Sequence, residues 1–351
     1  MRTALIIWLI LLLPCADVLA QQTRTVKELV ADLSAGDPVV RARAACDLKR
    51  HGNRAVEAIP PLLTLLGDAS PVTPDVCQER WRGQSDEQMS PGELAAAALA
   101  AIGSRAVQPL IGALREPVWI ARRNAVWALG ALDDPAGVAP VTEALRDPEA
   151  PVRSQAAWAL GAMDAESAVP NLIAALKDSD YRVRRQCAWA LGAIDADEAV
   201  AALGHALKDV HDEVRRQAAW ALGAIGHQGG ADGLAAALRD KTAAVRRQAA
   251  WALGAIDAES AVQPLVAVLH DPDSGVRKQA AWALGAIGHR GAVDGLIEAL
   301  RDTSSEVRKQ AAWALGAIGE ARATQGLLAA LKDSDSGVRR QAAWALGVVG
   351  R

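Results

Sequence analysis

Eight tryptophans, Trp127, Trp158, Trp189, Trp220, Trp251, Trp282, Trp313 and Trp344, stand 31 residues apart along the chain. The text around them recurs with the same period. Val183 opens VRRQCAWALGAID, Val214 opens VRRQAAWALGAIG, and Val276 and Val307 each open VRKQAAWALGAIG. A second segment recurs between these, as AVPNLIAALKD from Ala168, AVQPLVAVLHD from Ala261 and AVDGLIEALRD from Ala292. Self-similarity at such a period marks a stacked array of small structural units. About ten copies fill the 351 residues and leave no room for a separate catalytic or nucleotide-binding domain.

Each copy reads as two helices. In the shorter, Val169, Leu172, Ile173 and Leu176 follow the i, i+3, i+4, i+7 spacing of one helix face. In the longer, Val183, Cys187, Ala190, Leu191 and Ile194 share a face. Residues able to cap a helix start stand three before the valine: Asp180, Thr242, Asp273, Ser304 and Asp335. Gly226, Gly288 and Gly319 suit the left-handed residue that ends a helix. One pair cannot bury its apolar face alone, so the expected fold is all-α, an α-solenoid of about ten stacked antiparallel helix pairs.

The first copies are degraded. Val26, Leu29, Val30 and Leu33 outline a short helix and residues 40–49 a long one, with Cys46 in the tryptophan position. Residues 55–66 and 93–103 form the next pair, with Ala97 in that position. Residues 68–91, rich in Pro, Ser, Asp and Gln and carrying Trp81, read as a loop insertion. The last copy ends at Arg351 without an extra cap, so weak self-association through the side of Ala342, Ala343 and Leu346 is expected.

Arg2, the apolar run 4–13, Pro14 and the small residues Val18 and Ala20 before Gln21 make residues 1–20 a Sec-type signal peptide. Ten apolar residues are too few to span a bilayer, which takes roughly 20, and 21–351 holds no transmembrane segment. A lipoprotein signal ending at Cys15 competes less well, because Pro14 occupies the place of Gly, Ala or Ser. The mature chain is thus expected in the periplasm or outside the cell, under oxidising conditions. There Cys46 and Cys77 either form a disulfide or remain free thiols. Cys187 stands where neighbouring copies have Ala218, Ala249 and Ala280, and reads as buried. The formal net charge of −3 gives no general attraction to nucleic acid or acidic membranes.

The string V-R-[RK]-Q-A-A-W-A-L-G-A-I-G, followed by A-V-x-x-L-x-x-A-L-x-D, resembles HEAT-like repeats of the phycobilisome-lyase type from about residue 24 to 351. Relatives of that type include bilin lyases, deoxyhypusine hydroxylases and binding scaffolds. The hydroxylase branch implies His-Glu pairs holding two irons, and this chain has no His-Glu dipeptide. Its histidines are His51, His205, His211, His227, His270 and His289. Only His227 and His289 share a column, and two repeats at roughly 8–10 Å per packed helix separate them too far for one metal. No metal and no cofactor is expected. The bilin-lyase branch works in the cytoplasm, which does not fit an exported chain. The resemblance also implies that Asp178, Asp209, Asp240, Asp271, Asp302 and Asp333 bond to Arg184, Arg215, Arg246, Arg277, Arg308 and Arg339 in a ladder between turns. A charged binding track is the alternative reading of those two columns.

With the valine of the long helix at 0° and about 100° per residue, the apolar positions centre near 30° and the tryptophan falls near 240°. The basic residue four before it falls near 200°, so the two share the outward side. The pairs are Arg123–Trp127, Arg185–Trp189, Arg216–Trp220, Arg247–Trp251, Lys278–Trp282, Lys309–Trp313 and Arg340–Trp344; Ser154 breaks the column beside Trp158. Each cation can stack on its indole. The small residues Gly161, Gly192, Gly223, Gly254, Gly285 and Gly316 read as close-packing positions between long helices. The resemblance places the long helices on the concave side. Two readings of the tryptophans stay open: an aromatic strip that binds, or rings that fill gaps between repeats. The expectation is a non-enzymatic scaffold that binds a protein or an extended polymer through a Trp/Arg-lined groove. An enzyme of the hydroxylase or lyase branch is the alternative.

Overall fold

The computed structural model describes residues 24–73, 76–77 and 89–349. The expected export signal at 1–20, Trp81 and Arg351 lie outside the described residues. The chain forms two compact units, Met1–Pro109 and Leu110–Arg351.

The first unit holds α1 (Val26–Asp32), α2 (Pro38–His51), α3 (Ile59–Leu65) and α4 (Pro91–Ile102). α2 packs against α4, α1 against α2, and α3 against α4. Helix α5 (Val107–Ala113) spans the division. In the second unit the long helices are α6 (Trp119–Leu132), α8 (Ala150–Ala162), α10 (Tyr181–Ala193), α12 (Asp212–Ile225), α14 (Ala243–Ala255), α16 (Ser274–Ile287), α18 (Ser305–Ile318) and α20 (Ser336–Val348). Between them stand the short α7 (Val138–Ala144), α9 (Val169–Ala175), α11 (Val200–Ala206), α13 (Ala231–Ala237), α15 (Val262–Val268), α17 (Val293–Ala299) and α19 (Thr324–Ala330). Each long helix packs on the next long helix, and each short helix packs on the long helix that follows it. Among the described residues the only β pairing is one isolated bridge, Val72 to Met89, inside the insertion. The fold is an all-α solenoid, as the 31-residue period predicts.

The apolar columns form one continuous core. Val183, Cys187, Ala190, Leu191 and Leu172 are all fully buried, and their equivalents repeat along the unit. Burying a leucine side chain contributes roughly 1.5–3 kcal/mol, and each repeat obtains that burial only from its neighbours. Cys187 is a buried free thiol, and burial pushes its pKa up.

Helix starts follow the sequence reading in part. Asp180 accepts from the Arg182 N–H, Asp273 from Val276, and Asp335 from Gly337 and Val338. Thr242 and Ser304 occupy the same position without a side-chain cap. There the turn is held from two residues earlier: Asp240 accepts from the Thr242 N–H at 2.8 Å and Asp302 from the Ser304 N–H at 2.7 Å. At the helix ends Gly226, Gly288 and Gly319 are left-handed, with φ of 75°, 70° and 75°. The same column in four other repeats holds Asp133, Asp164, Asp195 and Asp257, with φ between 48° and 60°. Aspartate tolerates that region better than most side chains, because its short polar group bonds locally.

The aspartate and arginine columns form the ladder. Arg184 reaches the next repeat and donates from Nε and Nη2 to the two carboxylate oxygens of Asp209, at 2.6 and 2.8 Å. Its Nη1 donates to the carbonyls of Asp178 and Ser179 in its own turn. Asp209 Oδ1 also accepts from the His211 N–H. The same rung recurs at Arg122–Asp147, Arg153–Asp178, Arg215–Asp240, Arg246–Asp271, Arg277–Asp302 and Arg308–Asp333. In the first unit Arg41 pairs with Asp68 at 2.7 Å. Arg339 bonds only the carbonyls of its own turn among the described residues. Burial opposes the charge on Asp178, Asp209 and Asp240, but the hydrogen bonds from Arg153, Arg184 and Arg215 and from the turn N–H groups outweigh it. Their carboxyls therefore lie below the ordinary range.

Three outcomes are expected. Carboxylates with a lowered folded pKa contribute their full stability above the unfolded value and lose it as pH falls through the folded one. The melting temperature should therefore stay flat at neutral pH and fall progressively below about pH 4. Arg215→Ala removes the buried guanidinium that pairs with the half-buried Asp240 and should cost about 3 kcal/mol in a denaturant titration, whereas Arg339→Ala should cost well under that. Gly226 has open space where a Cβ would stand. Gly226→Ala should therefore report backbone strain alone, about 1 kcal/mol, with Asp257→Gly near neutral in the same assay.

Candidate functional site

The candidate face is built on the outward side of α6 to α20. Trp127, Trp158, Trp189, Trp220, Trp251, Trp282 and Trp313 are half-buried, and Trp344 is 46% exposed. Each indole from Trp158 onward reaches sideways to the preceding long helix. A Cβ added at Gly161 would lie 2.7 Å from Cζ3 of Trp189 and 2.8 Å from Cα of Ala190. At Gly192, Gly223, Gly254, Gly285 and Gly316 the added atom would stand 2.6–2.8 Å from Cζ3 of the next tryptophan. Glycine is required because only its missing side chain leaves room for both the ring edge and the neighbouring backbone. One edge of each ring thus fills an inter-repeat gap, while the remainder of the ring stays partly open to solvent.

Trp127 and Trp158 lie parallel, with 4° between their planes and 6.4 Å between centroids. Trp158 and Trp189, with Arg185, Gln186, Arg216 and Gln217, line an open recess of about 430 Å³. The glutamines are a column the sequence reading passed over. Gln155, Gln186, Gln217, Gln248, Gln279, Gln310 and Gln341 stand three residues before each tryptophan from Trp158 onward and are half-buried; Asn124 holds the place before Trp127. Their signal lay in the recurring VRRQ and VRKQ strings, at about 300° on the helix and so beside the indole. Among the described residues none of these seven side-chain amides has a hydrogen-bond partner within the protein.

The basic column departs from expectation. The stacking of each cation on the indole four residues later is absent from the ring contacts of the described residues. Arg123 lies over Trp119 instead, 5.7 Å from its centroid, and donates to Asn124 Oδ1. Arg185 pairs with Glu213 at 2.6 Å, and Lys278 and Lys309 both pair with Glu306, at 3.3 and 2.6 Å. Hydrogen bonds from Lys309 and Lys278 hold the Glu306 carboxyl below its usual range. Two causes act together. The glycine contact draws each indole away from its own helix, and a glutamate offers a full opposite charge, at the start of the next long helix for Arg185 and Lys278 and at the start of its own helix for Lys309. Arg216, Arg247 and Arg340 remain exposed, with no ion pair among the described residues.

In the first unit Cys46, at the tryptophan position of α2, is joined to Cys77 of the insertion, with Cα atoms 5.8 Å apart. Among the described residues no group of three His, Cys, Asp or Glu side chains could hold a metal ion, and no helix is long and apolar enough to cross a membrane.

The chain belongs to the HEAT-repeat family: HEAT repeats match residues 92–161, 138–216, 200–278 and 262–347. No curated protein sequence matches it. Among solved structures it is similar to an engineered protein, at 24% identity and a TM-score of 0.54 over 93% of this chain and 99% of that one. It is also similar to importin beta, at 16% identity and a TM-score of 0.62 over 92% of this chain and 52% of that one. The complex of CpcE and CpcF of phycocyanin lyase from Nostoc sp. PCC7120 aligns at 23% identity over 77% of this chain and 98% of that one, with a TM-score of 0.42. The first two likenesses show the solenoid fold.

The half-buried rings set their own energetic scale. Trp251→Ala should cost about 2 kcal/mol by chemical denaturation, less than the ~3–5 kcal/mol of a fully buried ring, and Trp344→Ala less again. Gly223→Ala gains about 1 kcal/mol of helix propensity, yet the new methyl would meet Trp251 and the Cα of Ala252. Overpacking of that kind costs about 1–3 kcal/mol, so a lower melting temperature is expected.

Proposed function

We propose that this chain is a non-catalytic binding scaffold that engages a protein or an extended polymer along the outward face of its long helices. The observation that carries the reading is the row of half-buried indoles, with the open recess between Trp158 and Trp189 lined by the amides of Gln186 and Gln217. Large rings held partly open in a row are a common feature of binding surfaces. The long helices pack directly on one another at glycine, which supports a concave long-helix side. We further propose that the protein is exported to the periplasm or beyond. Arg2 with the apolar run 4–13 supports this, and so does the Cys46–Cys77 bond, since disulfides persist in oxidising compartments. A nucleic-acid ligand is disfavoured by the net charge of −3 and by the glutamates that neutralise Arg185, Lys278 and Lys309. Weak self-association through the side of α20 that carries Ala343 and Leu346 belongs to the same proposal; Ala342, expected on that side, is fully buried, and Trp344 is exposed beside it.

The test is a pull-down from the exported fraction with the full protein, beside the triple variant Trp220→Ala, Trp251→Ala, Trp282→Ala. Capture that the triple variant loses, with its helical circular dichroism retained, is the expected result. Equal capture by both proteins removes the indole face as the binding surface. Stoichiometric iron in the purified protein would turn the reading toward the hydroxylase class.

A further inference from the structure

We propose that the open recess over α10 is an acidic-sugar site. It takes one hexuronate ring of a glycan, with the carboxylate on Arg216 and the body of the ring against the indoles of Trp158 and Trp189. The proposal rests on the scaffold reading above and narrows its extended polymer to a glycan with isolated carboxylates.

The recess has a local cause. On α10, α14, α16 and α18 the basic residue crosses to the second residue of the next long helix. Arg185 and Lys278 reach Glu213 and Glu306. Arg247 Nη1 and Lys309 Cδ lie 3.4 Å from where a Cβ would stand on Gly275 and Gly337. On α8 the same place is held by Ser154, which is too short to cross to α10. The ground between Trp158 and Trp189 is left uncovered, and there the recess of about 430 Å³ opens. That volume falls within the roughly 300–1,000 Å³ of small-ligand sites.

The charge of the recess is out of balance. Its charged lining side chains are Arg185 and Arg216. Glu213 neutralises Arg185 at 2.6 Å, whereas Arg216 is exposed and has no ion pair among the described residues. A single carboxylate restores the balance, and the planar fork of a guanidinium holds both of its oxygens side by side. A polyanion is matched less well, because Lys278 and Lys309 further along the face already share Glu306.

The rest of the lining selects a sugar. No aliphatic residue lines the recess; its apolar wall is the two indoles, and the other side chains are the guanidinium groups and the amides of Gln186 and Gln217. A hexose ring presents C–H groups on its faces and hydroxyls around its edge. It can lie on an indole while its edge bonds to those amides and cations. An apolar peptide side chain would displace water from four hydrogen-bonding groups without replacing the bonds.

An array probed with the full protein tests this. It carries neutral oligosaccharides, oligosaccharides with a single hexuronate, fully charged oligouronates, the methyl ester of each acid, and a set of acidic peptides. Glycans with a single hexuronate should bind, and their methyl esters should not. For the best glycan, titrated by tryptophan fluorescence, Arg216→Ala should weaken binding about tenfold or more, the loss of one charge-assisted contact. Ser154→Met, which sets a long uncharged side chain beside the recess, should weaken it as much. Both variants should keep the parent melting temperature, since neither residue is buried. Failure of every glycan to bind, equal binding of acid and ester, or tighter binding of fully charged oligouronates overturns the proposal. So does binding of acidic peptides alone, or an affinity that neither variant changes. The scaffold reading survives any of these results if capture from the exported fraction still depends on Trp220, Trp251 and Trp282, and falls with the proposal if it does not.

Discussion

The close approach of successive long helices at Gly161, Gly192, Gly223, Gly254, Gly285 and Gly316 positions everything on the outward face. A single methyl there would collide with both an alanine backbone and an indole edge. The indole is consequently drawn sideways onto the preceding helix and held. A ring fixed in this way has already lost most of its rotameric freedom before any ligand arrives, which lowers the entropic cost of binding. The same contact leaves the cations to find other partners, and Arg185, Lys278 and Lys309 find them in Glu213 and Glu306.

The Arg–Asp ladder performs a separate task on a different side of each long helix. Its arginine follows the valine, at about 100° on the helix, while the tryptophan stands near 240°. Buried ion pairs carry a desolvation penalty that only good geometry offsets. Here each guanidinium makes at least four hydrogen bonds, as Arg184 does to Asp209, Asp178 and Ser179, and each carboxylate also holds its own turn. Stability and recognition can therefore be perturbed one at a time.

The fold was legible because two helical periods and one long repeat agree at every copy. Val183, Cys187, Ala190 and Leu191 announce a buried face by spacing alone, and the close-packing glycines by their smallness. The ladder came through resemblance, since nothing local ties Arg184 to an aspartate in the next repeat. What stayed hidden depends on neighbours distant in sequence or on ambiguous residue types. Glutamine between basic residues reads as one more solvated side chain until its lack of partners is seen in three dimensions. Asp164 and Asp257 look like loop residues, and only their φ angles show that they do the work of Gly226. The partners of Arg185 and Lys278 lie 28 residues away, one repeat on.

From Trp158 to Trp344 every junction between long helices joins the same kinds of surface: glycine to indole and alanine, arginine to aspartate. A crossover between any two copies would therefore rejoin faces that already fit. Removing or adding one 31-residue module would alter the reach of the protein without requiring compensating changes elsewhere. Such a chain can be lengthened or shortened in whole modules to match the span of what it grips, and the near-identity of its copies leaves that route open.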